Sequence, residues 1–188
     1  MLALARWLAS GKKSPREYLR QLKLMRYRKG VIDGYSSRLH YFTDWLRDNE
    51  KKKIVADITP LLGGAPRRRK IDFMTKNAGR YPALQDKKQF QRMLAVEKNL
   101  SRRAFCVMDK KKFGARQEKI RNGDIVAFAT AQEGLDVAHV GFALWEGKTL
   151  RLLHASRRAR AVVISAETLA AYLKGKKDFT GVIIARPL

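Results

Sequence analysis

Two of the chain's histidines stand in segments whose pattern could present an imidazole for proton transfer. In His139-Val140-Gly141-Phe142-Ala143-Leu144, strand alternation puts His139, Gly141 and Ala143 on one face and Val140, Phe142 and Leu144 on the other. The second face reads as core. The first is small and open, with a histidine at its rim, and Gly141 lets another backbone or a ligand come close. Leu150, Leu152 and His154 share a face of the next strand, and Glu146-Gly147 makes a tight hairpin between the two. His139 and His154 are therefore expected on adjacent strands and the same side. One imidazole can then accept a proton while a second group orients it. A lone histidine at a strand end would be structural; the pair points to chemistry.

Other polar residues carry less. Cys106 lies in Phe105-Cys106-Val107-Met108, an apolar stretch with strand character, where a thiol reads as buried and inert. Asp124 opens a strand after Gly123, and its carboxylate reads as a turn acceptor. One cysteine and three histidines give little support to a Cys/His zinc site, and no metal or other cofactor is expected. His40 has Ser37 and Tyr41 at spacings that can share a helical face. That cluster reads equally as helix packing or as the polar wall of a cleft. Tyr35, Ser36 and Arg38 lie beside it in a glycine-punctuated loop, where recognition groups often sit.

The elements that must position these residues fall into two halves. Met1 to Ser10 looks like the back end of a helix, stopped by Gly11 and without an N-cap of its own. Ser14-Pro15-Arg16-Glu17 starts a second helix, with Ser14 as N-cap, Pro15 at the first helical position and Glu17 completing a capping box. Tyr18, Leu19, Leu22 and Met25 form its buried face. Ser36 or Ser37 caps a third helix with Leu39, Phe42, Trp45 and Leu46 on one side. A strand is expected at Ile54 to Ile58, a turn at Pro60 to Gly64, a strand at Ile71 to Met74 and a helix at Asp86 to Asn99. From Asp124 the period changes to two. Strands are predicted at Ile125 to Thr130, Ala138 to Trp145, Leu150 to Ala155, Ala161 to Ile164 and Gly181 to Arg186. A short helix capped by Ser165 carries Leu169, Tyr172 and Leu173. Helices followed by an antiparallel meander make an α+β chain. No repeat or low-complexity linker interrupts it, so residues 1–188 are expected to form one domain.

With 188 residues, 45% of them hydrophobic, the chain can build a real core. No apolar run approaches the roughly 20 residues of a membrane span. The apolar start, Met1 to Leu8, is interrupted by Arg6 and followed by Lys12 and Lys13, which is not the pattern of a signal peptide. A formal net charge of +24 directs the first suspicion to nucleic acid. The basic clusters are spread along the chain, however, at Lys51-Lys52-Lys53, Arg67-Arg68-Arg69-Lys70, Lys110-Lys111-Lys112 and Arg157-Arg158. No arginine-aromatic strip suggests base stacking. The charge reads as a solvated surface that works near polyanions.

The ordered set Gly123-Asp124-Ile125-Val126-Ala127-Phe128, His139-Val140-Gly141-Phe142 and Leu153-His154-Ala155-Ser156 resembles the NlpC-type, papain-like cell-wall cysteine hydrolases of bacteria. Arg26-Tyr27-Arg28 with Gly30, and the run from Asp33 through Gly34-Tyr35-Ser36-Ser37-Arg38 to Trp45, narrow the likeness to the N-acetylmuramoyl-L-alanine amidase-like branch. So do Asp57-Ile58-Thr59 with Gly63-Gly64, Ile71-Asp72-Phe73-Met74, and Gly134-Leu135-Asp136. The likeness runs from the first helix to the last strand. It implies a papain-like fold, with N-terminal helices packed on a mostly antiparallel C-terminal β-meander. It implies cysteine-dependent hydrolysis of the muramoyl–L-Ala amide of peptidoglycan or muropeptides, in the periplasm or cell envelope. His139 would be the general base and His154 the third, orienting residue. Tyr35, Ser36, Arg38, His40, Tyr41 and Gly141 would lie on the substrate side, with Arg38 meeting a stem-peptide carboxylate.

The resemblance also implies a cysteine nucleophile at a helix N-terminus, where the helix dipole and a nearby imidazole lower the thiol's pKa. The helix in question reads Leu2-Ala3-Leu4-Ala5 in its later turns, and the chain begins inside it. The cysteine is therefore expected a few turns upstream of Met1, the chain being truncated at its start. Two alternatives stand beside this reading: a non-catalytic relative that binds muropeptide without cutting it, and a basic nucleic-acid-binding module.

Overall fold

The computed structural model describes residues 2–11 and 14–188. Its first half runs α1 (Leu2–Ala9), α2 (Pro15–Arg26), α3 (Phe42–Lys51), β1 (Val55–Asp57), β2 (Ala65–Arg67), α4 (Phe73–Lys76), α5 (Lys87–Ser101) and β3 (Phe105–Asp109). The second half runs β4 (Ile125–Thr130), β5 (Val137–Glu146), β6 (Thr149–Ser156), β7 (Ala161–Ile164), α6 (Leu169–Gly175) and β8 (Phe179–Pro187). The class is α+β, as expected, with six α-helices among the described residues around an antiparallel sheet of eight strands.

Strands β4 to β7 form the predicted meander, each antiparallel to the next. β8 does not extend it. It returns to the far side of β4, so the sheet runs β2-β3-β8-β4-β5-β6-β7, with β1 also paired to β8. β4 and β8 are thus covered on both faces. Ile125, Ala127, Ile183 and Ala185 meet Ala3 of α1, Met25 of α2 and Leu46 of α3. Val126, Phe128, Val182 and Ile184 face the other way, onto Leu169 and Leu173 of α6. Each large apolar side chain buried this way contributes about 1.5–3 kcal/mol, so these two layers hold the sheet rigid beneath whatever it carries.

Local signals set most element starts. Ser14 Oγ accepts from the Glu17 N–H, and Pro15 occupies the first turn of α2. Leu19, expected in the buried face, is 62% exposed. It sits about 100° round the helix from Tyr18, off the stripe. Gln21 takes the buried place instead, because Arg6 and Glu17 satisfy its amide.

Other expectations are corrected. Ser36 and Ser37 do not cap α3; they lie in the 3-10 turn Tyr35–Ser37. The first turn of α3 is capped from a distance. Asp136 Oδ2 accepts from Thr43 N at 2.7 Å and from Thr43 Oγ1 at 2.8 Å. Ile71 to Met74 is not a strand: Ile71 makes one bridge to Gly134, and Phe73 opens α4. Thr168, not Ser165, caps α6; the Ser165 hydroxyl accepts from Leu152 N and donates to Glu167 O. On β5 the alternation holds but the buried face is the other one. Ala143 is buried in the α6 layer and Val140 is 41% exposed. Small residues there let β6 and α6 close over them. No helix among the described residues is long and apolar enough to cross a membrane.

Candidate active site

His139 and His154 meet. His139 Nε2 lies 2.8 Å from His154 Nδ1, with the rings nearly perpendicular at 88°. Two features of the sheet bring them together. His139 pairs with Phe128 across β4, but Ala129 then pairs with Val137, so Ala138 is an extra residue in a bulge. The β4–β8 ladder slips at the same level, between Gly181 and Phe179. Bulges bend a strand and re-aim the side chain beside them, here His139. The second feature is Gly141. A Cβ on it would lie 2.8 Å from Leu153 O, 2.6 Å from Leu152 Cδ1 and 3.0 Å from His154 Cβ. Its bare backbone lets β6 approach, and the space that the missing side chain leaves is taken by the strand that carries His154.

The hydrogen bond constrains protonation. One nitrogen must donate and the other accept, so the pair is complete with both rings neutral. A second added proton would set two N–H groups face to face. Burial, then the His154 ring, then Lys176 hold the His139 imidazole below the usual histidine range. Burial likewise pushes His154 down, with Lys176 adding to the effect and Glu167 opposing it. With Nε2 committed to His154, Nδ1 of His139 is the nitrogen left for a reacting group.

An aromatic wall fixes the ring planes. Tyr172 of α6 lies 5.2 Å from the His154 ring centroid and 6.3 Å from that of His139. Phe128 stacks at 6.0 Å from His139. Tyr172 was read from the sequence only as part of a helix face. Its signal was a polar-tipped aromatic between Leu169 and Leu173 on that apolar stripe.

His139 borders two clefts. One, of about 520 Å³, is lined by Leu2, His40, Trp45, Asp136 and Val140 among others. The second, also of about 520 Å³, is lined by His154, Tyr172, Arg157, Arg158 and Lys176 with His139. His40 therefore faces the cleft that His139 borders. Its Nε2 lies 3.0 Å from Tyr35 O, and the Tyr35 ring packs 4.4 Å away. Burial, then nearby Arg38 and Arg28, hold His40 low, against a raising contribution from Tyr35 O. Arg38 is exposed beside it. Ser36 turns inward, and Tyr41 lines the same cleft as His40 with its hydroxyl held inside. Ser36 bonds Gln89 through both N and Oγ. Tyr41 donates to Glu97 at 2.6 Å and accepts from Met74 N at 2.9 Å.

Asp136 is the positioning residue that the sequence pattern concealed. It is 1% exposed, and it ties the start of β5 to α3 through Val137 N and Thr43. Burial pushes its carboxyl up, against the hydrogen bonds that it accepts. Asp124 does serve its turn, through Arg121 N, and it also pairs with Arg186 through both oxygens. Cys106 lies on β3, partly exposed, three strands from β5 in the sheet order, or about 14 Å at ordinary strand spacing. Burial and Asp57 push its thiol up, away from thiolate.

No curated protein matches this chain. A Bacteroides fragilis protein described as a candidate xylanase superposes with a TM-score of 0.92 at 33% identity, over 98% of this chain and 82% of that one. An N-acetylmuramoyl-L-alanine amidase from Bacteroides uniformis superposes at 0.91 and 32% identity, over 100% of this chain and 79% of that one. A Legionella pneumophila protein shares the fold, at a TM-score of 0.66 and 20% identity. The family model described as AmiA-like, N-acetylmuramoyl-L-alanine amidase-like, matches residues 2–182. The chain belongs to the N-acetylmuramoyl-L-alanine amidase-like family.

Proposed function

We propose that this chain carries the histidine half of an NlpC-type, papain-like amidase centre that cleaves the amide between the muramoyl lactyl group and L-alanine in peptidoglycan or muropeptides. The observation that carries the reading is the His139 Nε2 to His154 Nδ1 hydrogen bond, which leaves His139 Nδ1 for a thiol. In this reading residues 1–188 form one domain whose nucleophilic cysteine is supplied by a segment preceding α1. Leu2, at the start of α1, lines the cleft that His139 borders.

His139 Nδ1 takes the thiol proton, and the thiolate adds to the lactyl carbonyl carbon. Backbone N–H groups hold the oxyanion. The C–N bond breaks as the imidazolium returns its proton to the amine of L-alanine, leaving a thioester. His139 then deprotonates the water that hydrolyses it. Throughout, His139 Nε2–H donates to His154 Nδ1, so His154 works as the neutral, orienting member. His40 and Tyr41 line the opposite wall for substrate, Tyr35 packs on the His40 ring, exposed Arg38 lies beside them, and Ser36 supports the turn from within through Gln89. Membership of the amidase-like family supports action on cell-wall material in the envelope.

The test uses a form extended upstream through the cysteine, incubated with N-acetylmuramoyl peptides and analysed by mass spectrometry. Peptide with a free L-alanine amine and intact glycan linkages are expected. Glycosidic cleavage would sink the proposal, as would inertness of an extended form that contains a cysteine.

A further inference from the structure

We propose that the cleft between the β6–β7 turn and the end of α6 is an anion subsite that takes the α-carboxylate of the stem residue after L-alanine, beside the histidine pair. This rests on the amidase reading and names the part of the substrate that the second cleft receives. Arg157 and Arg158 project from the turn after β6, and Lys176 follows α6; all three line the cleft with His139 and His154. The turn is held in shape, with Ser156 Oγ accepting from Ala159 N. Lys176 Nζ sits 5.5 Å over the Tyr172 ring, which keeps it at the cleft's edge.

The charge here is uncompensated. Arg67, Arg151 and Arg186 are each paired with a carboxylate, whereas among the described residues Arg157 and Arg158 make no ion pair. Glu167 is the acidic group acting on His154 and Tyr172. Against it stand two arginines and Lys176, which disfavours protonation of both imidazoles. The hydrogen-bonded pair is complete when neutral, so it brings no positive charge of its own and needs no counter-ion. The guanidinium pair is left to a ligand, and guanidinium forks match carboxylate or phosphate. Of these, a muropeptide carries carboxylates close to the scissile amide, on the residue that follows L-alanine.

The 188-residue chain is titrated calorimetrically with N-acetylmuramoyl-L-Ala-D-Glu and with its α-amide, N-acetylmuramoyl-L-Ala-D-isoglutamine. Wild type is compared with R157Q/R158Q and with K87Q/K88Q, whose lysines lie on α5 outside both cleft linings. Thermal unfolding checks that each variant is folded. The free acid should bind about fivefold tighter than the amide, and tightness should fall with salt. That preference should vanish in R157Q/R158Q and survive in K87Q/K88Q. Equal affinity for acid and amide overturns the subsite and leaves the amidase reading standing, as does a preference that survives R157Q/R158Q. If neither muropeptide binds, while inorganic phosphate raises the melting temperature of wild type but not of R157Q/R158Q, the patch serves a phosphate-bearing ligand. In that case the carboxylate assignment and the muropeptide reading fall together.

Discussion

Gly141→Ala isolates the contact that joins the two histidines. The added Cβ would stand 2.8 Å from Leu153 O, a backbone atom that no rotamer can move away, where ordinary contact begins at 3.4 Å. β6 must therefore retreat by about 0.6 Å at this point, or β5 must bend by as much. Overpacking of this kind costs about 1–3 kcal/mol. For a chain of this size that lowers the melting temperature by roughly 2–12 °C. The same retreat stretches the 2.8 Å bond between His139 and His154 towards about 3.4 Å, past useful hydrogen-bonding range. Calorimetry reads the first effect, and the imidazole resonances in NMR spectra read the second. A Gly141→Ala chain with wild-type melting and unshifted histidine resonances would refute this account of how the strands bring the pair together.

In an upstream-extended form, His154→Ala should lower kcat by roughly 10²-fold with little change in KM, since the ring orients and does not bind. His154→Asn, whose amide oxygen can accept from His139 Nε2–H, should recover part of that loss; equal activities of the two variants would deny the orienting role. Asp136→Ala removes the distant cap of α3 and should cost about 1–3 kcal/mol in urea unfolding; a change under about 0.5 kcal/mol would mean that the cap is dispensable. NMR titration should place the midpoints of His139 and His154 below the ordinary 6.5, with protonation of one ring opposing that of the other. Because folding lowers these values, the stability that they contribute is present above pH ~6.5 and is lost as pH falls from there through the folded midpoints. A midpoint above 6.5 for either ring would contradict the environment described for it.

What the sequence disclosed was what local physics decides. Period-two alternation located β4 and β7 to the residue, and it put His139 and His154 on one side of adjacent strands. The Ser14 cap needed only Glu17, three residues on. The failures share a cause, which is partners supplied from far along the chain. Asp136 caps α3 across 93 positions, so the nearer Ser36 and Ser37 looked like better caps than they are. β8 inserts beside β4 because both strands are apolar on both faces, and a strand list cannot reveal that order. Which face of β5 is buried depended on where α6 docks, and Ala143 gave no hint of it. The bulge at Ala138 leaves no composition signal at all. Tyr172 joined the site only when α6 folded back onto β6.

The measurement closest to the central claim is the kinetics of muramoyl–L-Ala cleavage by the upstream-extended form, with and without His139→Ala and with its thiols free or alkylated. His139→Ala should reduce kcat/KM by roughly 10²–10⁴-fold, and alkylation should abolish turnover even when Cys106 has been replaced by Ala. Cleavage that persists after alkylation, or that is indifferent to His139, would contradict a thiol centre built on the His139–His154 pair.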